Sequence, residues 1–186
     1  MWLGLLIRHQ PAWHTYWRNP GDSGLPTMLK WALPAGVKAG EIDWPTPVRL
    51  PVGSLLNYGY EGTVLLPVPV RLPADFASNT LDINLRADWL VCKIECIPES
   101  GDFTLSLPTN TPIRTHEKAF AAAFAARPVE LPGVKAVAQA DAGAIVLRVE
   151  GLPARLVGKR ADVFAETIGL IEHAAPLQQR WHGDAW

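Results

Sequence analysis

Proline sets the first limit on this chain. There are 17 prolines among 186 residues. Over the first two thirds they recur often enough to leave little room for long helices, because each removes a backbone donor and clashes with the preceding turn. Short strands cut by turn residues are what remain. The strand candidates are Trp2–Ile7, Thr27–Leu33, Gly62–Leu72, Thr80–Val91 and Phe103–Leu107. Leu81, Ile83 and Leu85 alternate with Asp82, Asn84 and Arg86, the period of two that a half-buried strand requires. Val64, Leu66, Val68 and Val70 share another face, but Pro67 and Pro69 between them point to an edge strand or a bulge. Turn signals fall at Asn19–Gly24, Pro34–Gly36, Pro51–Gly53 and Ser100–Asp102. Strands at this spacing suggest an all-β fold, a β-sandwich or a small barrel.

The stretch after Thr115 breaks the pattern. Glu117–Arg127 is rich in strong helix formers and is stopped by Pro128, with Thr115 as its expected N-cap. Strand-like runs resume at Val134–Ala138, Ala144–Val149 and Ala161–Glu166. The expected organisation is therefore a β domain over 1–112, a short helical connector over 113–127, and a second, smaller and incomplete β unit over 128–186.

Composition excludes some functions. A net charge of -1 argues against an electrostatic nucleic-acid binder. No apolar run reaches the 18 residues or so of a membrane span. The apolar start, Met1–Ile7, lacks the basic region and cleavage site of a signal peptide and reads as a buried strand.

Chemistry concentrates at one place. The only two cysteines are Cys92 and Cys96, at the end of the alternating strand and before a return strand. Three intervening residues put them face to face at a hairpin end, within the roughly 4.4–6.8 Å between Cα atoms that a disulfide spans. A bridge closing so short a loop removes only about 2 kcal/mol worth of unfolded-state entropy. It is a poor staple and a reasonable redox switch. Lys93 would favour a nearby thiolate, while Glu95 and Glu99 would oppose it. A zinc site is disfavoured, since the five histidines show no paired spacing, whereas two thiolates would accept copper(I). A non-catalytic module with a structural disulfide also fits. Strand residues Trp89 and Val91 before the pair, and Pro98 after it, exclude a thioredoxin-type helix N-terminus. Trp13, His14, Tyr16 and Trp17 read as an aromatic cluster that packs and anchors a loop, with lining of the redox site or copper binding as the second reading of His14.

Four blocks, in order, carry a resemblance: Trp13–Thr27 (WHTYWRNPGDSGLPT), Ile42–Pro47 (IDWPTP), Asn57–Gly62 (NYGYEG), and Asp88–Cys92 with Cys96–Glu99. Together they resemble the N-terminal periplasmic region of the DsbD/ScsB family of membrane disulfide reductases, closer to its ScsB-like branch. Gly169–Pro176 resembles a segment of that branch's second periplasmic unit. The resemblance implies an immunoglobulin-like domain, part of a larger inner-membrane enzyme, that needs no cofactor beyond a redox-active Cys92–Cys96 disulfide. It implies electron transfer from a membrane-embedded cysteine domain, or its thioredoxin-like partner domain, to periplasmic thioredoxin-fold proteins. Cys96 would form the mixed disulfide and Cys92 would resolve it. Tyr58 and Tyr60 would lie in a loop that caps the cysteines. The intercysteine spacing is shorter than in DsbD itself.

Overall fold

In the computed structural model, which describes residues 1–111, 113–183 and 185–186, the alternation over Thr80–Val91 becomes the longest ladder in the molecule. Nine strands make up the first part of the chain: β1 (Trp2–Arg8), β2 (His14–Gly21), β3 (Met28–Ala32), β4 (Lys38–Ala39), β5 (Val48–Val52), β6 (Leu55–Glu61), β7 (Thr63–Arg71), β8 (Thr80–Cys92) and β9 (Cys96–Pro108). Strands β1, β7 and β4 form one sheet, and β3, β8, β2, β6 and β5 form the other, with β9 added along β8. Every ladder in both sheets is antiparallel.

The core lies between these sheets. Leu66 and Val64 of β7 pack with Trp17, Leu56, Tyr58 and Tyr60 of the larger sheet. Leu3 and Val70 meet Leu81 and Ile83, and Leu5 meets Leu85 and Ala87. Leu66, Val68 and Leu81 are wholly buried, each contributing about 1.5–3 kcal/mol of apolar transfer. Two packed sheets with separate edges make the protein an immunoglobulin-like β-sandwich rather than a barrel.

Strand β7 corrects an expectation. It is the middle strand of its sheet, with β1 paired along it from Thr63 to Pro69. The prolines fit because their missing donors lie on the side away from β1. On that side the Pro69 and Pro67 carbonyls accept from the Gly40 and Asp43 amides at 2.8 Å each, while Val70 bonds toward Met1.

The helix α1 (Glu117–Ala125) forms where expected, although its N-cap is His116 in the left-handed region, φ 57°, with no side-chain cap from Thr115. It docks on the first sheet. Phe124 meets Trp2 edge-on at 5.1 Å, Arg127 lies 4.0 Å above the Phe124 ring, and Arg127 pairs with Asp43 at 2.7 Å. The boundary expected at 112 falls on Pro112, which lies outside the described residues.

Beyond α1 come β10 (Lys135–Asp141) and β11 (Ala144–Glu150), which form a two-stranded sheet, with Val149 of β11 also exchanging backbone hydrogen bonds with Trp186. Ala161–Glu166, expected as a strand, makes no ladder. This region instead returns to the sandwich as a strap. Phe164 packs on Trp17 and Tyr58, Arg18 pairs with Glu166 at 3.1 Å, and the buried Asn19 amide donates to the Ala165 carbonyl at 2.7 Å. Arg18 therefore pairs with the strap.

Candidate redox site

The site follows from the register of one hairpin. On the inner face of β8, Leu81, Ile83, Leu85 and Ala87 are buried in the core. On its outer face a polar ladder ties it to β9. Ser106 donates to Asp82 at 2.6 Å, Thr104 to Asn84 at 3.2 Å, and Arg86 to Asp102 at 2.8 Å and to Ser100 at 2.6 Å. A slip of one residue would invert both faces at once, so the register is fixed. It runs without interruption to the pair Cys92 and Cys96.

The two cysteines form a disulfide, with Cα atoms 4.1 Å apart, slightly closer than the expected range. Lys93, Ile94 and Glu95 make the turn, closed by the Lys93 amide donating to the Glu95 carbonyl at 3.0 Å. Ile94 is 95% exposed, and the Lys93 and Glu95 side chains are also in solvent. Burial divides the pair: Cys92 is 3% exposed, whereas Cys96 is open to solvent. Glu99 lies three rungs from the bridge and accepts from the Trp89 indole at 3.1 Å, so it is engaged there rather than at the sulfurs.

Tyr58 and Tyr60 are not the cap. They lie on β6 with their rings in the sandwich core, and the Tyr60 hydroxyl donates to the Pro45 carbonyl at 2.7 Å. Burial pushes both hydroxyls to higher pKa. Register explains the difference. Tyr60 stands opposite Thr15 and shares its face, while His14 and Tyr16 point to the other face, as does Cys92, which is paired with His14.

The aromatic group at the bridge is therefore Tyr16. Its ring is 1% exposed and its hydroxyl lies 3.7 Å from the Cys96 sulfur. Desolvation raises its pKa. The chain after β2 folds back over this ring, bridging Tyr16 to Pro26. At Gly24, φ is 101° and a Cβ would overlap the ring, so only glycine lets the loop lie so close. That loop is itself pinned. The Asp22 carboxylate accepts from the Leu56 amide at 2.8 Å, and Asn57 accepts from the Ser23 amide at 3.0 Å.

His14 completes the setting. Read from sequence as structural, it stands across from Cys92 and meets Tyr16 edge-on at 5.2 Å. It is 4% exposed, and desolvation lowers its pKa, with Glu61 opposing and His9 adding to that shift. Sequence reasoning passed over Tyr16 as a site residue and gave His14 the redox site only as its second reading, although the tract WHTYW stands out. Their spacing of two, beside a strand ending in cysteine, was the available signal. Among the described residues, no three His, Cys, Asp or Glu side chains gather where they could hold a metal ion.

Fold and site together define an immunoglobulin-like β-sandwich domain that carries a disulfide at a hairpin tip, with one cysteine buried and the other exposed. Residues 1–108 match the family model described as "Thiol:disulfide interchange protein DsbD, N-terminal". The chain belongs to that family. A likeness of fold extends further, to the crystal structure of the N-terminal periplasmic domain of ScsB from Proteus mirabilis. The two share 24% identity with a TM-score of 0.59, over 80% of this chain and 57% of that one. No curated protein matches the chain. Family membership supports thiol–disulfide interchange as the general chemistry. Among the described residues, no helix is long and apolar enough to cross a membrane.

Proposed function

We propose that this chain is a periplasmic exchange domain of a membrane protein-disulfide reductase. The Cys92/Cys96 dithiol would receive reducing equivalents from a membrane-embedded cysteine domain or its thioredoxin-like partner domain. It would pass them to periplasmic thioredoxin-fold proteins. No cofactor beyond the cysteine pair takes part.

Unequal burial of the two cysteines carries this reading: Cys92 is 3% exposed and Cys96 is an exposed residue. An incoming disulfide can reach only the open sulfur in line, so Cys96 attacks and forms the mixed disulfide. Cys92, held opposite it by the hairpin register, then attacks Cys96 and releases the partner as a thiol. The Tyr16 hydroxyl at 3.7 Å lies beside the sulfur that exchanges and can hydrogen-bond its thiolate. Lys93 and Glu95 offer charge at the rim where a partner docks. Residues 1–112 would then be the exchange domain, 113–127 a connector, and 128–186 a unit that orients it.

The test is the reduction potential of the pair, found by equilibrating the protein in thiol buffers and counting free thiols. A value of roughly -120 to -270 mV, with the fold retained on reduction, is expected for a working exchange domain. A value below about -300 mV, with unfolding on reduction, would mean a structural bridge and end the proposal.

A further inference from the structure

Two histidines flank Thr15, His9 through its side-chain bond and His14 in sequence, and their hydrogen bonding differs. His9 is satisfied at both nitrogens: its Nδ1 donates to the Gly62 carbonyl at 2.8 Å, and its Nε2 accepts from the Thr15 hydroxyl at 3.0 Å. His14 is 4% exposed, and its buried Nε2 has no hydrogen-bond partner among the described residues. A buried polar atom left unpaired costs about 1–3 kcal/mol and asks for a reason.

The oxidation state of the neighbouring pair supplies one. His14 and Cys92 are opposed across β2 and β8, and opposed residues project on the same face. In the disulfide the Cys92 sulfur bears no proton. On reduction it gains an S–H, and a donor then exists on the residue opposed to His14, on the same face of the sheet. We propose that His14 is the proton acceptor for Cys92, the general base that arms the resolving thiol. This rests on the exchange reading above and adds a residue to it.

The step balances as follows. With a partner joined to Cys96, the neutral His14 imidazole takes the proton of the Cys92 thiol. The Cys92 thiolate attacks the Cys96 sulfur, the Cys92–Cys96 bond forms, and the bond from Cys96 to the partner sulfur breaks. The partner sulfur leaves with the electron pair and takes a proton from imidazolium or water. Over the whole exchange the dithiol is oxidised by two electrons and the partner disulfide is reduced by two.

A buried thiol needs such help, because desolvation disfavours its thiolate. The groups around His14 keep the imidazole neutral and ready. Desolvation lowers its pKa, His9 acts in the same direction, and Glu61, its opposite number on β6, pulls the other way. Tyr16 packs against its ring as a neutral phenol, and Cys92 is its opposite number on β8.

The experiment uses the full chain, reduced, and dithiobis(nitrobenzoate), whose coloured thiolate is released once when Cys96 attacks and again when Cys92 resolves. In the unsubstituted protein the second release should stay level as pH falls past about 6.5 and drop only where His14 protonates. In His14→Gln it should slow roughly tenfold or more and rise steadily toward the pKa of a thiol. His14→Tyr keeps a ring against Tyr16 and should show the same loss, which separates base from packing. A normal first release with an unchanged second release and pH profile in both variants would overturn the role of His14 alone. No first release from the unsubstituted protein would overturn the exchange reading and this proposal together. Should neither variant fold, a second release in the unsubstituted protein that tracks only a thiol titration overturns the proposal by itself.

Discussion

The β8–β9 and β10–β11 hairpins are both antiparallel and in unbroken register, yet their settings differ. In β8 every second residue from Leu81 to Ala87 is buried, because a second sheet lies behind it. In β10 every residue is exposed, and in β11 only Leu147 and Val149 are partly covered. The pairing of Ala136 with Val149, Ala138 with Leu147 and Ala140 with Ile145 gives the second hairpin an apolar face of its own. Strand pattern alone therefore does not fix a hairpin. A two-stranded ribbon is marginal in water until something covers its apolar face. The cysteines occupy the hairpin that is held on one face by a core and on the other by a polar ladder. The ladder so held runs up to Cys92 opposite Cys96.

The sharpest way to break this contrast is a matched pair of truncations. Ile83→Ala in β8, where the side chain is 2% exposed, should cost about 2–5 kcal/mol by denaturant unfolding. Val146→Ala in β11, 50% exposed, should stay within about 0.5 kcal/mol. Equal losses would show that the second hairpin has a core after all. The strap gives an intermediate case, since it follows β11 in sequence but packs on the first sandwich. Phe164 contacts Trp17 and Tyr58 while remaining partly exposed, so Phe164→Ala should cost about 2 kcal/mol, less than for a fully buried ring. Hydrogen exchange should then rise at the strap and leave the β8–β9 ladder protected. Loss of protection in β8 would tie the strap to the redox hairpin.

What could be read from sequence divides along the same line. The β8 alternation and the hairpin that joins the cysteines were legible because half-burial writes a period of two into the residues. Strand β2 was not, since Thr15 and Trp17 face the core while Tyr16 is covered by the Gly24 loop and His14 is buried beside it, leaving no alternation from His14 to Trp17. Strand β6 was mistaken for a loop because Asn57 and Gly59 are turn residues. Asn57 serves there by accepting from Ser23, and at Gly59 a Cβ would overlap the Thr15 carbonyl. That misreading put Tyr58 and Tyr60 over the cysteines. The strap was invisible for another reason. The Asn19 contact with Ala165 spans 146 residues, and nothing local encodes it.

The smallest effect expected is one of pH, and it too separates the two hairpins. His9 and His14 have pKa values lowered from 6.5, chiefly by desolvation, whereas the β10–β11 hairpin contains no histidine. In the unfolded chain both imidazoles take up protons near the ordinary value, while the folded state resists doing so. Below that pH the unfolded state binds more protons and is favoured. The stability these two residues support is therefore complete above pH 6.5 and is lost as pH falls from there through their lowered folded values. The denaturant midpoint of the sandwich should drop on acidification from about pH 7.5 to about 5. In His14→Tyr the drop should be shallower, because one of the two titrating groups is gone. The Val146→Ala variant should show the unaltered slope. An equal pH slope with and without His14 would mean that its imidazole is hydrated in the folded state. The unpaired Nε2 would then have a water as its partner rather than waiting for the Cys92 thiol.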